Sequence, residues 1–201
     1  MIEKVMQKEM DAIKIMLNSV ASKDTTYDAV LDLFSSCKGK VVFMGVGKSA
    51  HIGEKLAATF ASLGTPSFFV HSTEAMHGDL GMIGKSDVAV LISNSGTTKE
   101  VLQNLAPLKA NGVTTVAFTS GRESELARSC DYQIFYPKLP EADQNNLAPT
   151  VSSTLTLVLG DAIACELSER KNFTRSDFYA YHPNGALGEA LSKEKTVKLH
   201  E

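Results

Sequence analysis

Cysteine is scarce, with three in 201 residues, at Cys37, Cys130 and Cys165. An odd number, far apart, argues against a disulfide framework or a zinc site and fits structural thiols in a reducing compartment. A cytoplasmic location is the expectation, and the sequon Asn172-Phe173-Thr174 then carries no meaning. Excess positive charge is missing as well. The net charge is -3 and no basic stripe occurs, which argues against nucleic acid as a partner. No run of 18 apolar residues occurs, so neither a membrane span nor a membrane partner is expected. The N-terminus, Met1-Ile2-Glu3-Lys4, opens an amphipathic pattern with acids in it, unlike a secretory leader. No linker is marked by composition, and 201 residues at 43% hydrophobic read as one domain with a full core.

What is present is a regular alternation of strands and helices. Ile2, Val5, Met6, Met10, Ile13, Met16, Leu17 and Val20 recur at helical spacing over residues 2–21. This helix has no sequence neighbour to pack on, so it is expected to cover the sheet or a partner subunit. A second helix covers residues 27–34. Buried strands are predicted at residues 41–46, 67–70, 87–92, 113–118 and 132–136. Helices are predicted from Ala50 to Leu63, from Lys99 through Leu108, from Glu123 to Arg128, and from Pro149 to about Arg170. The segment from His71 to Met82 is a long polar connection, and residues 137–148 form a polar loop. Five apolar strands alternating with helices predict a doubly wound parallel sheet, a three-layer α/β/α architecture. Ligands of such sheets bind beyond the carboxyl ends of the strands. Gly47-Lys48-Ser49, the His71–Asp79 segment and the Ser93–Thr98 loop all fall at that edge.

The Ser93–Thr98 loop is the most telling stretch. Ser93, Ser95, Thr97 and Thr98 crowd around Gly96 between a buried strand and a helix. A helix N-terminus offers free N–H groups and partial positive charge to a phosphate, and hydroxyls add uncharged donors. Gly96 lets backbone approach a ligand closely. A turn with an N-cap is the plainer account of the same residues. The nucleotide motifs fail: the glycine a P-loop needs five residues before Gly47 is Val42. A dinucleotide fingerprint through Gly45, Gly47 and Ala50 lacks its acid at the end of the second strand, where Val70-His71 stands. His71, Glu74, His77 and Asp79 match no zinc spacing, so no metal is assigned. Taken singly, His77, Glu100, Glu141 and His182 read as an exposed loop histidine, a first-turn acid, a loop acid and a turn histidine.

Several runs together resemble the sugar isomerase (SIS) domain family, and within it most closely the arabinose 5-phosphate isomerases. They are residues 44–53, 57–71 and 77–82, Ile92-Ser93-Asn94-Ser95-Gly96, Leu147-Ala148-Pro149-Thr150, Gly160-Asp161-Ala162 and residues 182–188. The resemblance covers about residues 30–192. It implies a five-stranded parallel sheet of flavodoxin-like type, a homotetramer and a sugar-phosphate ligand. It places the phosphate on Ser49, Ser93, Ser95 and Thr98, with Thr97 in the same hydroxyl cluster. Lys48, His77, Glu100, Glu141 and His182 fall where the family keeps its catalytic set. The reaction so implied is aldose–ketose isomerisation, D-arabinose 5-phosphate to D-ribulose 5-phosphate through an enediolate, with no cofactor. Glu141 is the expected base, its pKa brought near neutrality by burial. Lys48 is expected to stabilise negative charge, Glu100 to orient Lys48, and His182 or His77 to move the hydroxyl proton. The rival readings are a non-catalytic sugar-phosphate sensor and a different phosphosugar isomerase or lyase.

The sequence departs from the family at three places. Two CBS modules often follow the domain in those isomerases, whereas this sequence stops at Glu201. Their Glu-Ala-Cys-Pro-Leu-Gly loop is Glu141-Ala142-Asp143-Gln144-Asn145-Asn146 here, and their His-Pro-Gly-Gly is His182-Pro183-Asn184-Gly185.

Overall fold

The β-branched and aromatic runs become five strands. The computed structural model describes residues 1–21 and 26–184. Its strands are β1 (Val41–Gly45), β2 (Ser67–His71), β3 (Val88–Ile92), β4 (Thr114–Thr119) and β5 (Tyr132–Phe135). All pair in parallel, in the order β2-β1-β3-β4-β5. The helices are α1 (Ile2–Ala21), α2 (Thr26–Ser36), α3 (Gly47–Ser62), α4 (Ser72–Ala75), α5 (Lys99–Leu102), α6 (Leu105–Ala110), α7 (Glu125–Ser129), α8 (Val151–Arg170) and α9 (Arg175–Tyr181).

Alternate strand residues feed two cores. Phe43, Val90, Ile92, Phe118 and Ile134 point toward α2, α3 and α8, where Phe34, Leu56, Phe60 and Leu155 meet them. Met44, Ala89, Leu91 and Ala117 point toward the short helices, against Ala75, Val101, Leu108 and Leu126. Strands covered on both faces must be apolar throughout, which is why β1 and β3 are buried at every position. Among the described residues α8 alone is long and apolar enough to cross a membrane, and half of it is packed inside the protein. α1 lies on α8 through Ala12 and Met16 rather than on the sheet, leaving Ile2, Met6, Met10 and Leu17 exposed.

The structure revises several boundaries. α3 begins at Gly47, so Lys48 and Ser49 sit in its first turn rather than in a loop before it. α8 begins at Val151 with Thr150 as its N-cap, so Pro149 precedes the helix. The helix expected after β3 is broken into α5 and α6. The break falls at Asn104, fully buried, whose Nδ2 donates to Glu100 O at 2.7 Å and across to Ser72 O at 3.0 Å. An Asn side chain bonding to nearby carbonyls competes with helix continuation. α9 has no counterpart among the expected elements; its capping box pairs the Thr174 side chain with Asp177 N and the Asp177 side chain with Thr174 N.

The strand order reverses between β1 and β3, where the crossovers run to opposite faces and leave a crevice at the carboxyl ends.

Candidate functional site

The crevice is framed by two helix N-termini and one hydroxyl loop. The first N-terminus is that of α3. Its N-cap, Val46, is extended (φ -131, ψ 156) and carries no side-chain acceptor. Gly47 takes φ +57 with open space on its Cβ side, the left-handed conformation that glycine reaches without strain. The first intrahelical bond, Ala50 N–H to Val46 O at 3.3 Å, leaves the preceding first-turn N–H groups without helical partners. Lys48 is exposed and Ser49 half-buried in that turn. A helix of 16 residues with no cap at this end is suited to an anion.

The hydroxyl loop follows β3. Ser93 is 2% exposed, and its Oγ lies 2.8 Å from Thr98 Oγ1. Gly96 N–H donates to Ser93 Oγ at 3.1 Å. Ser95 Oγ and Thr97 Oγ1, both exposed, pair at 2.9 Å, and Thr97 N–H donates to Ser95 Oγ at 3.2 Å. Two expectations change here. α5, the helix behind this loop, has only four residues, so the stronger helix dipole at this edge belongs to α3. Gly96 (φ +69) makes room for protein rather than ligand, because a Cβ there would collide with the Ser124 side chain.

The second N-terminus is that of α8, and it is already occupied. Glu141 is 8% exposed. Its Oε2 accepts from Thr150 N–H at 2.8 Å, Thr150 Oγ1 at 3.1 Å and Ser152 N–H at 3.2 Å. Burial raises the pKa of this carboxyl, but the donors of Ser152 and Thr150 outweigh burial and hold it below the ordinary carboxylate value. The expected shift toward neutrality is therefore reversed: the buried acid is ionised and serves as the helix cap. Lys8 of α1 donates to Glu141 O at 2.8 Å, tying the loop to the first helix.

Between the two termini lies a cavity of about 40 Å³, lined by Lys48, Ser49, Asn94, Tyr136, Ser152 and Thr156 among others. That volume suits a water or a hydroxyl group. Asn94 Oδ1 accepts from Ser120 Oγ at 2.9 Å and Tyr136 Oη at 3.2 Å. Burial pushes the Tyr136 phenol up to about 12, so it stays a neutral donor. Sequence reasoning missed Asn94, Tyr136, Ser152 and Thr156. Ser152 and Thr156 are spaced i, i+4 and so share one face of α8, which is a readable signal. Tyr136 follows the last residue of β5 and carries none.

The other candidates are distributed as follows. His77 is exposed in the turn after α4, on the same sheet edge, with its N–H bonded to Glu74 O at 2.8 Å. Glu100 is exposed in α5 and forms no ion pair with Lys48 among the described residues. His182 stacks on Phe178 at 4.0 Å and lines a cavity with Lys40 and Ser67, at the amino ends of β1 and β2. One strand length, about 16 Å, separates that edge from Lys48, so a single chain does not bring His182 to the crevice. The rest of its motif, residues 185–188, lies outside the described residues. No three His, Cys, Asp or Glu side chains converge as a metal site among the described residues.

The comparisons with known proteins fall on this arrangement. The sequence matches the SIS domain over residues 33–165, a span containing β1 to β5, both helix N-termini and the hydroxyl loop. The chain belongs to the SIS domain family. Arabinose 5-phosphate isomerase KdsD of Pseudomonas aeruginosa is 45% identical over 192 residues, 96% of this chain and 58% of that protein. Arabinose 5-phosphate isomerase KpsF of Escherichia coli is 47% identical over 165 residues, 82% of this chain and 52% of that protein. This SIS chain thus spans little more than half the length of the curated relatives it matches. Among solved structures, an Escherichia coli protein in complex with arabinose 5-phosphate aligns at a TM-score of 0.87 and 52% identity, over 90% of this chain and 95% of that one.

Proposed function

We propose that this SIS domain is an aldose–ketose isomerase that interconverts D-arabinose 5-phosphate and D-ribulose 5-phosphate. The observation that carries the proposal is the uncapped N-terminus of α3, with Lys48 and Ser49 in its first turn, across a cavity from the α8 N-terminus, whose Thr150 and Ser152 N–H groups hold the ionised, buried Glu141. An anion site and a carboxylate on opposite sides suit a substrate with a phosphate at one end and a carbonyl at the other. The relatives named arabinose 5-phosphate isomerase, and the structural neighbour solved with that sugar phosphate, support the choice of sugar.

In the proposed mechanism the α3 N–H groups, Ser49 and the hydroxyls of Ser93, Ser95, Thr97 and Thr98 hold the phosphate. That anchoring positions the open-chain sugar, which is where most of the orientational gain arises. Glu141 takes the proton from C2 of the aldose, the enediolate forms, and the proton returns at C1. Lys48, which lines the crevice, stabilises the enediolate oxygen. Glu100 shapes the field around Lys48. His77, on the same edge, moves the hydroxyl proton, a step that His182 does not reach within one chain. We further propose a single SIS domain and a cytoplasmic location, and a homotetramer, the last supported by the exposed stripe Ile2, Met6, Met10 and Leu17.

A second reading has one specific observation in its favour. Glu141 is engaged as a helix cap and its pKa is lowered, which makes it a weaker base and suits a phosphosugar-binding protein without turnover. Incubation of the purified protein with D-arabinose 5-phosphate in D₂O, followed by NMR, tests both. Ribulose 5-phosphate with solvent deuterium incorporated is the expected result. Ligand line broadening with no exchange assigns binding alone, and no effect of any kind removes both readings.

A further inference from the structure

The loop from Glu141 to Thr150 is where this sequence leaves the family's Glu-Ala-Cys-Pro-Leu-Gly run. Its replacement side chains build a hydrogen-bonded circuit of their own. Asp143 Oδ1 accepts from Leu147 N–H and Ala148 N–H, each at 2.9 Å, and Oδ2 accepts from Asn145 N–H at 3.0 Å. Asn146 N–H donates to Asp143 O at 3.1 Å and closes the turn. Asn146 takes φ +56, a left-handed conformation that Asn tolerates better than most residues. In that conformation its Oδ1 accepts from Glu141 N–H at 2.6 Å. Ala142 N–H is held by Thr150 Oγ1 at 2.8 Å. Glu141 is therefore fixed at its main-chain N–H by Asn146 and at its carboxylate by Thr150 and Ser152.

We propose that Asp143, acting through the turn that presents Asn146, is a positioning residue that sets Glu141 against the α8 N-terminus. The proposal rests on the reading of Glu141 as the base. A proline in the family's loop restricts the backbone covalently; here a carboxylate gathering three backbone N–H groups restricts it by hydrogen bonds. Desolvation raises the pKa of Asp143, but the N–H groups of Ala148, Leu147 and Asn145 together outweigh it and hold the pKa below the usual carboxylate value. The anion that organises the loop is thus present at neutral pH.

The test uses the full chain in four forms besides the wild type: Asp143→Ala, Asp143→Asn, Asn146→Gly and Glu141→Gln. Asn146→Gly keeps the left-handed turn free of strain and removes only the amide. Two quantities are read: the titration midpoint of the Glu141 carboxyl by ¹³C NMR, and kcat and KM for D-arabinose 5-phosphate. Asp143→Ala and Asn146→Gly are expected to move the Glu141 midpoint upward as its donors loosen. They are also expected to lower kcat ~10- to 100-fold, the scale of a small misplacement, with KM within about twofold of wild type. Asp143→Asn, which keeps one acceptor oxygen, is expected to recover most of the loss. An unmoved midpoint in both Asp143→Ala and Asn146→Gly overturns the proposal, as does unchanged kcat where Glu141→Gln is inactive. Wild-type turnover in Glu141→Gln instead removes Glu141 as the base; the midpoint alone then decides whether Asp143 positions it.

Discussion

The N-termini of α3 and α8 meet at one crevice and are finished in opposite ways. α8 ends on a carboxylate of its own chain, with Thr150 and Ser152 donating to Glu141. α3 ends on Val46, which has nothing to offer, and on Gly47, which leaves the approach open. The same backbone dipole is neutralised internally in one helix and left for an external anion in the other. The difference is that an unfilled helix end leaves its N–H groups free for a ligand, whereas a filled one fixes a charged side chain in a chosen place. Under the proposed function it would also divide labour within the crevice, with the phosphate on the α3 side and the proton-transfer group on the α8 side.

The contrast can be broken most severely at α8. Glu141→Gln is expected to cut turnover by ~10²–10⁴-fold, the usual size of general-base loss, measured as isomerase kcat with the fold checked by circular dichroism. Next, α3 can be made to resemble α8. Val46→Asp places an acceptor at an N-cap that is already extended, where it takes the N–H groups of the second and third helical residues. A carboxylate there repels the phosphate, and KM is expected to rise roughly tenfold with Tm unchanged or raised. Third, Gly96→Ala presses a methyl into Ser124 at φ +69 and displaces the hydroxyl loop. The strained conformation alone costs roughly 1–2 kcal/mol, or roughly 2–8 °C in Tm for a chain of this size, read by thermal melting. Smallest is the acid titration of the α8 cap. Because the folded pKa of Glu141 lies below its ordinary value of 4.5, the unfolded chain binds this proton more tightly. The stabilisation is therefore complete above about pH 5 and is lost as pH falls through the folded pKa. The Tm difference between wild type and Glu141→Gln should shrink in that range.

The strands are readable because each is a short apolar run flanked by turn residues, as burial on both faces requires. All five fall within one or two residues of the expected runs. The polar edge is readable in outline, since Lys48, Ser49 and the Ser93–Thr98 loop have to fall beyond strand ends. What is not readable is how polar side chains spend their hydrogen bonds. The helix after β3 has unbroken apolar spacing, and Pro107, which has no N–H for Gln103 O and crowds that carbonyl, is a readable signal of its division; the buried amide of Asn104 that fastens the break is not. Glu141 reads as a loop acid that burial would neutralise; its donors come from residues nine and eleven positions later, a pairing that depends on how the loop folds back. His182 reads as a member of the same cluster because the family motif carries it. The path of α9, which begins at a capping box visible as Thr174 and Asp177, puts it at the other edge.

Asn104 has a consequence for any attempt to redesign the crevice. Its amide clasps Ser72 from the connection after β2 and Glu100 from the helix after β3, so segments belonging to different strands share one buried fastener. Grafting a foreign loop onto either strand would have to preserve that clasp, because an intact neighbour cannot compensate for a donor left dry in the interior. The two segments therefore have to be exchanged as a linked pair, and the separately tethered segment before α8 is the one that can be replaced on its own.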